Sequence, residues 1–189
     1  MNEFITISGG PTKPEIIAIA LSKLNLKEKE VFVDIGCGTG AVTIAASNST
    51  NNLTIYGIDA RDSAIQISSK NFKNFNVKNI TLFHGEASVV LNKEKCLEKI
   101  NCAFIGGTKN IDSVISILYE KKVQKIVVNA VRIETVVRVI NIMKKLNIFK
   151  EVVHVALSRS SDLRGETMFK PENPVYIIVG TQEMKEKKC

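Results

Sequence analysis

Short apolar runs rich in β-branched residues alternate along the chain with longer stretches whose apolar positions recur at helical spacing. The runs predict strands over Val31–Ile35, Thr54–Ile58, Ile80–Phe83, Cys102–Ile105, Lys125–Asn129, Glu151–Leu157 and Val175–Gly180. Helices are expected between them at Pro14–Leu24, Ala41–Ser47, Arg61–Phe72, Val89–Lys99, Asn110–Lys121 and Ile133–Leu146. The first opens on a proline suited to a first turn. The last is apolar at Val136, Val139, Ile140 and Met143, one face of a helix. This alternation predicts βαβ units and a parallel sheet. It stops after the sixth helix, and only the stretch 158–173 separates the last two strands. With no helix to bridge them, they are expected to pair antiparallel.

No repeat or linker divides the chain, so 1–189 reads as a single domain with an N-terminal arm (1–13) and a polar tail (182–189). The hydrophobic fraction of 44% and charged fraction of 24% are those of a soluble globular protein. No run of about 18 apolar residues is present, so a membrane span is not expected. The N-terminus shows no secretory pattern, which makes the cytoplasm the expected compartment. Cys37, Cys96, Cys102 and Cys189 form no Cys-x-x-Cys pair and have no histidine at ligand spacing. Free thiols and no metal site are expected. The net charge of +7 points to a polyanionic partner, either nucleic acid or a carboxylate-rich small molecule, or else to a lysine-rich solvated surface.

The most informative segment is Val33-Asp34-Ile35-Gly36-Cys37-Gly38-Thr39-Gly40, where a strand runs into alternate glycines ahead of a helix. Glycine permits the tight turn and removes the Cβ that would hold a ligand off the backbone. The N–H groups at the helix start are expected to be exposed donors. Asp59 closes the second strand, where a carboxylate is placed to accept both ribose hydroxyls of a nucleoside. Read as Gly36-x-Gly38-x-x-Ala41, the loop also fits a dinucleotide fingerprint, so NAD stays open on the motif alone.

The loop resembles motif I of class I S-adenosylmethionine-dependent methyltransferases, with Asp34 as its acid. That resemblance implies a Rossmann-like α/β fold with a seven-stranded, mostly parallel sheet, an antiparallel C-terminal strand and helices on both faces. Gly85-Glu86-Ala87 and Ile105-Gly106-Gly107-Thr108 follow the third and fourth strands, where open sheets bind ligands. At the chain's two ends stand Gly10-Pro11-Thr12 and Ser158-Arg159-Ser160-Ser161-Asp162-Leu163-Arg164-Gly165-Glu166-Thr167-Met168-Phe169, the latter followed by Asn173-Pro174-Val175. Together these segments are similar to the decarboxylating cobalt-precorrin C-15 methyltransferases of anaerobic cobalamin synthesis, the CbiT family.

The resemblance implies methylation of C-15 of a cobalt-precorrin, loss of carbon dioxide from its C-12 acetate, and a homotetramer. It implies cofactor contacts from Thr12, Gly36, Cys37, Gly38, Thr39, Gly40, Asp59, Glu86 and Ala87. On the substrate side it points to the floor at Gly107 and Thr108, although Thr108-Lys109 departs from the small residue and glycine of the family pattern. A precorrin carries many carboxylates, and arginine grips carboxylates bidentately. Arg132, Arg159 and Arg164 are therefore candidates, the last two on a loop between the final strands. The ring itself can supply the nucleophilic carbon and accept the electrons of decarboxylation, so no catalytic residue is assigned. His84, Glu134 and Glu166 are proton-donor candidates, while His154 reads as a strand residue. An RNA methyltransferase of the same fold is the main alternative. Few aromatic residues (6%), no tryptophan and no added module make nucleic acid a poorer fit. A NAD-dependent oxidoreductase and a non-catalytic binding subunit are further alternatives.

Overall fold

The computed structural model describes residues 3–6 and 10–183. Most of the expected polar tail, including Cys189, lies outside the described residues. The strands are β1 (Val31–Ile35), β2 (Thr54–Asp59), β3 (Ile80–His84), β4 (Cys102–Ile105), β5 (Lys125–Ala130), β6 (Phe149–Val155), β7 (Ser158–Leu163), β8 (Glu166–Pro171) and β9 (Val175–Thr181). The helices are α1 (Pro14–Leu24), α2 (Ala41–Ser49), α3 (Asp62–Asn74), α4 (Ala87–Lys93), α5 (Ile111–Glu120) and α6 (Ile133–Lys145), with a 3-10 turn at Lys95–Glu98. Seven strands form one sheet in the order β3-β2-β1-β4-β5-β9-β6. β9 alone runs antiparallel, pairing with β5 on one side and β6 on the other. The expected fold class is the one observed.

The strands are apolar on both sides because helices cover both faces. Along β1, Phe32 faces a core built with α1 and α2, through Ile16, Ala20, Leu24, Val42 and Ala46. Val33 and Ile35 face the opposite core, where Leu91, Val114, Leu118, Val139 and Met143 of α4, α5 and α6 pack. This period-2 alternation also fixes Asp34 on the α2 side of the sheet. Each fully buried Leu, Ile or Phe contributes roughly 1.5–3 kcal/mol. The two cores can therefore hold polar groups under the sheet's carboxyl edge.

The structure departs from expectation at two places. The expected helix Val89–Lys99 is α4 followed by the 3-10 turn, with Glu94 extended between them. In a continuous helix Leu97 would point about 120° away from Leu91. The break lets both residues bury completely in one core. The expected loop 158–173 is a separate two-stranded hairpin, β7 paired with β8 around Arg164–Gly165. Both turn residues have positive φ, +55° and +85°, as a two-residue hairpin turn demands. Its strands are polar and largely exposed, so no alternation marks them in the sequence.

Two glycines separate the cost of backbone conformation from the cost of crowding. Gly36 has φ +75°, and a Cβ there would lie 2.5 Å from the Gly107 nitrogen. Gly165 has φ +85° with nothing within 4 Å. Gly165→Ala is expected to cost about 1–2 kcal/mol, the strain alone. Gly36→Ala should cost at least ~2 kcal/mol more, because two backbone segments must part. Denaturant unfolding of both variants checks this, and equal losses would contradict it.

Candidate active site

The glycine loop is built from internally satisfied backbone. Gly36 and Cys37 both donate their N–H to the Ile58 carbonyl, at 2.7 and 3.1 Å. Gly38 donates to Asp59 Oδ2 at 2.9 Å, and Gly40 to the Cys37 carbonyl at 2.8 Å. These N–H groups close the turn, and the free donors are those of the first turn of α2, which a helix leaves unpaired. Cys37 is buried with its sulfur toward Gly57, 3.4 Å from where a Cβ would sit. Burial pushes its thiol well up, so Cys37 offers the loop backbone and not a thiolate. Thr39 is held from behind by the buried Asn71, which donates to the Thr39 carbonyl at 2.9 Å and also brackets Ile5. Gly40 makes room for Phe72 of α3, 2.3 Å from a would-be Cβ.

Two carboxylates flank the loop in opposite electrostatic states. Asp34 is 1% exposed, with Oδ2 accepting from the Thr43 hydroxyl at 2.7 Å and Oδ1 buried without a partner. Burial pushes its carboxyl up to about 7, against the pull of the Thr43 hydrogen bond. Asp59 is also buried, and burial alone would raise it. The Arg61 side chain, the Arg61 N–H and the Gly38 N–H outweigh that and hold it below the usual carboxylate range. Arg61 reaches it with Nε on Oδ1 and a terminal nitrogen on Oδ2, each at 3.2 Å. Glu86 caps α4, accepting from the Val89 N–H at 3.2 Å and from the Ser88 hydroxyl. The capping role, visible once α4 is seen to start at Ala87, turns that carboxylate toward its own helix.

Three cavities line up along the carboxyl edges of the strands. One of about 400 Å³ is walled by Asp59, Arg61, Glu86, Ala87, Gly107 and Thr108. The next, about 220 Å³, is walled by Thr12, Asp34, Cys37, Gly38 and Thr39, and shares Gly36, Arg61 and Gly106 with the first. The third, about 420 Å³, is walled by Lys13, Thr108, Asn129, Val131, Arg132 and Thr135, and shares Thr12 and Gly106 with the second. The cofactor candidates Thr12, Gly36, Cys37, Gly38, Thr39, Asp59, Glu86 and Ala87 thus fall on the first two cavities. Gly107 joins the first, and Thr108 and Arg132 join the third.

Arg159 and Arg164 stand apart from that row. Arg159 forks onto Glu15 at 2.9 and 2.8 Å and bonds Glu172 at 2.7 Å, while Lys13 meets Glu172 at 2.7 Å. This cluster ties the base of the hairpin to the start of α1. Arg164 is exposed at the hairpin tip. His84 bonds the Ala60 carbonyl at 3.2 Å, and His154 stacks on Tyr176 with ring centroids 4.6 Å apart. Glu134 and Glu166 are exposed. Sequence reasoning missed Arg61, Asn71, Asn129 and Val131. Asn129 buries both its amide atoms without a partner, and Val131 is 62% exposed beside Arg132. Among the described residues no helix is long and apolar enough to cross a membrane, and no cluster of His, Cys, Asp or Glu is suited to hold a metal.

Residues 4–182 match the precorrin methyltransferase domain family. A Methanosarcina mazei protein named "Probable cobalt-precorrin-6B C(15)-methyltransferase (decarboxylating)" is 60% identical over 97% of this chain and 100% of its own length. A crystal structure of precorrin-6y C5,15-methyltransferase from Geobacter metallireducens superposes with a TM-score of 0.86 at 29% identity, covering 96% of this chain and 95% of that one. The structure of precorrin 8w decarboxylase from Methanobacterium thermoautotrophicum gives 0.85 at 26%, covering 95% and 97%.

The state of Asp34 makes ligand-free stability depend on pH. Its folded carboxyl titrates at about 7, against an ordinary value near 3.8, so the folded chain keeps a proton that the unfolded chain has released. Stability should therefore fall as pH rises between those values. Asp34→Asn removes the loss, and its advantage over the wild type should grow by roughly 1–4 kcal/mol between about pH 5 and about pH 8. Urea unfolding at both pH values measures it, and an advantage that stays flat would contradict the buried-acid account.

Proposed function

The chain belongs to the precorrin methyltransferase family, and from that premise we infer that it is the decarboxylating cobalt-precorrin-6B C-15 methyltransferase of cobalamin biosynthesis. The observation that carries the reading is the row of adjoining cavities. An acid suited to a ribose diol stands at one end, and an apolar and basic wall stands at the other.

The donor set fits S-adenosylmethionine, which when bound supplies an electrophilic methyl group on a sulfonium. Asp59, already negative, accepts hydroxyls. Asp34 brings a buried acceptor without a partner, Oδ1, to the middle cavity, where an ammonium would draw it into its charged form. Gly36 lies so close to Gly107 that only glycine fits at position 36. Gly106 walls all three cavities and lacks a side chain where the two halves of the site meet.

On the substrate side, Val131 offers an apolar surface to a flat ring and Arg132 a cation to its carboxylates. Positioning the ring carbon behind the methyl group supplies much of the rate, since orientation alone is worth many powers of ten. The ring supplies the carbon nucleophile and takes up the electrons left by departing carbon dioxide. Arg132 then binds and orients, and no strong base is required of the protein.

The homotetramer that the resemblance implies and a cytoplasmic location belong to this reading. Leu163 and Phe169 on the hairpin, 53% and 67% exposed, give such an assembly an apolar surface to cover.

Anaerobic incubation with S-adenosylmethionine and the cobalt-precorrin, read by mass spectrometry, should show gain of one methyl and loss of one carbon dioxide. An unchanged corrinoid beside methylated transfer RNA in a parallel tube would overturn the assignment. Arg132→Ala should raise KM for the corrinoid roughly tenfold while leaving cofactor affinity unchanged, as loss of a charge-assisted contact predicts.

A further inference from the structure

We propose that Arg61 is an internal competitor for the nucleoside site and sets how tightly the cofactor and its demethylated product are held. The proposal rests on the reading of Asp59 as the ribose acceptor. An ionised carboxylate offers about four acceptor positions. At Asp59 two are taken by backbone that helps close the loop: the Gly38 N–H on Oδ2 at 2.9 Å and the Arg61 N–H on Oδ1 at 3.0 Å. The other two are the ones left for a ligand. In this structure the Arg61 side chain fills both, Nε on Oδ1 and the terminal nitrogen on Oδ2, each at 3.2 Å.

A guanidinium edge presents two N–H groups side by side, as a ribose presents two adjacent hydroxyls. One carboxylate cannot serve both. The guanidinium also walls the two cavities that a nucleoside with a side chain would span, standing 3.6 Å from a would-be Cβ at Gly38. Burial decides which partner leaves. The Asp59 side chain is 5% exposed and fixed by backbone, whereas the Arg61 side chain is 55% exposed and swings into water without disturbing the core.

Two arrangements therefore exclude each other, guanidinium in or diol in, and cofactor affinity is reduced by the share of molecules in the first. An arginine beside a cofactor pocket ordinarily reads as a contact whose loss weakens binding. Competition predicts the reverse. A half-exposed pair is worth little, so Arg61→Ala should tighten S-adenosylhomocysteine binding by roughly 3- to 10-fold. Arg61→Lys, with a single ammonium that cannot bridge both oxygens, should fall between the two. Salt screens an exposed ion pair but not a neutral diol. Raising ionic strength should thus tighten binding to the wild type more than to Arg61→Ala.

Calorimetric titration of S-adenosylhomocysteine into the three proteins at low and high salt makes the test. Tighter binding in the variants, with the wild type gaining most from salt, is the expected result. Equal or weaker binding by both variants overturns the competition while leaving the nucleoside site standing. Absence of binding in all three overturns the nucleoside reading and this proposal with it. If Arg61→Ala does not fold, the wild-type salt response and the lysine variant decide the matter.

Discussion

Two carbonyl oxygens hold the site together, each accepting two backbone N–H groups. The Ile58 carbonyl binds Gly36 and Cys37, and the Ile35 carbonyl binds Gly106 and Gly107 at 2.8 and 3.2 Å. The ends of β1, β2 and β4 are thereby pinned to one another at the point where the chain turns away from the sheet. The pinning brings Gly36 so near Gly107 that position 36 tolerates no side chain and position 107 has little room for one. The walls shared by the first two cavities hang from this knot. It sets the loop over Asp34, brings Gly38 to Asp59, and places Gly106 in the wall of all three cavities.

The two flanking acids show how one knot produces two different groups. Asp34 and Asp59 are both carboxylates under the same loop, and burial opposes the charge of each. Asp59 meets two backbone donors and a guanidinium, which together exceed the cost of burial. Asp34 meets only Thr43, through its hydroxyl and its backbone, with no cation, and these do not. The outcome is an anion at one end of the row of cavities and a partly protonated acid in the next cavity. The second waits for a cation, and the cost of keeping it is carried by the apolar packing of β1 on both faces.

The parallel strands and most helices were legible because burial on both faces leaves β-branched runs that no other element writes so plainly. Gly36, Gly38 and Asp59 were legible because spacing alone fixes what they can touch. The hairpin β7–β8 was not. Its strands bury little, so they carry no alternation, and Gly165 alone hints at a turn. The break after α4 was hidden because Leu91 and Leu97 both read as core, and only three-dimensional packing shows that a continuous helix would bury one of them and expose the other. Arg61 was invisible as a ligand-site residue for a different reason: it sits two places beyond Asp59, where sequence shows a helix start and not a guanidinium folded back on its neighbour. Asn129 follows the apolar run Ile126–Val128 of β5, and only its unpartnered amide in the third cavity marks it out.

Arg159 shows why the net charge of +7 is a poor guide to where an anion binds. Its guanidinium is fully engaged by Glu15 and Glu172, and Lys13 completes the same cluster. These four residues join the segment after Gly10-Pro11-Thr12 to the base of the hairpin, so the two stretches most like the family, far apart in sequence, meet in space. The segment leading into α1 walls the second cavity through Thr12 and the third through Thr12 and Lys13, so the cluster positions these walls through a tie made at the other end of the chain. An arginine that reads in sequence as a grip on substrate carboxylates is spent on protein carboxylates, and in being so spent it places Lys13 at the rim beside Arg132. A net positive charge thus says little about where an anion can bind until the pairing of each cation is known, and along the third cavity Arg132 is a cation for which no such ion pair is formed among the described residues.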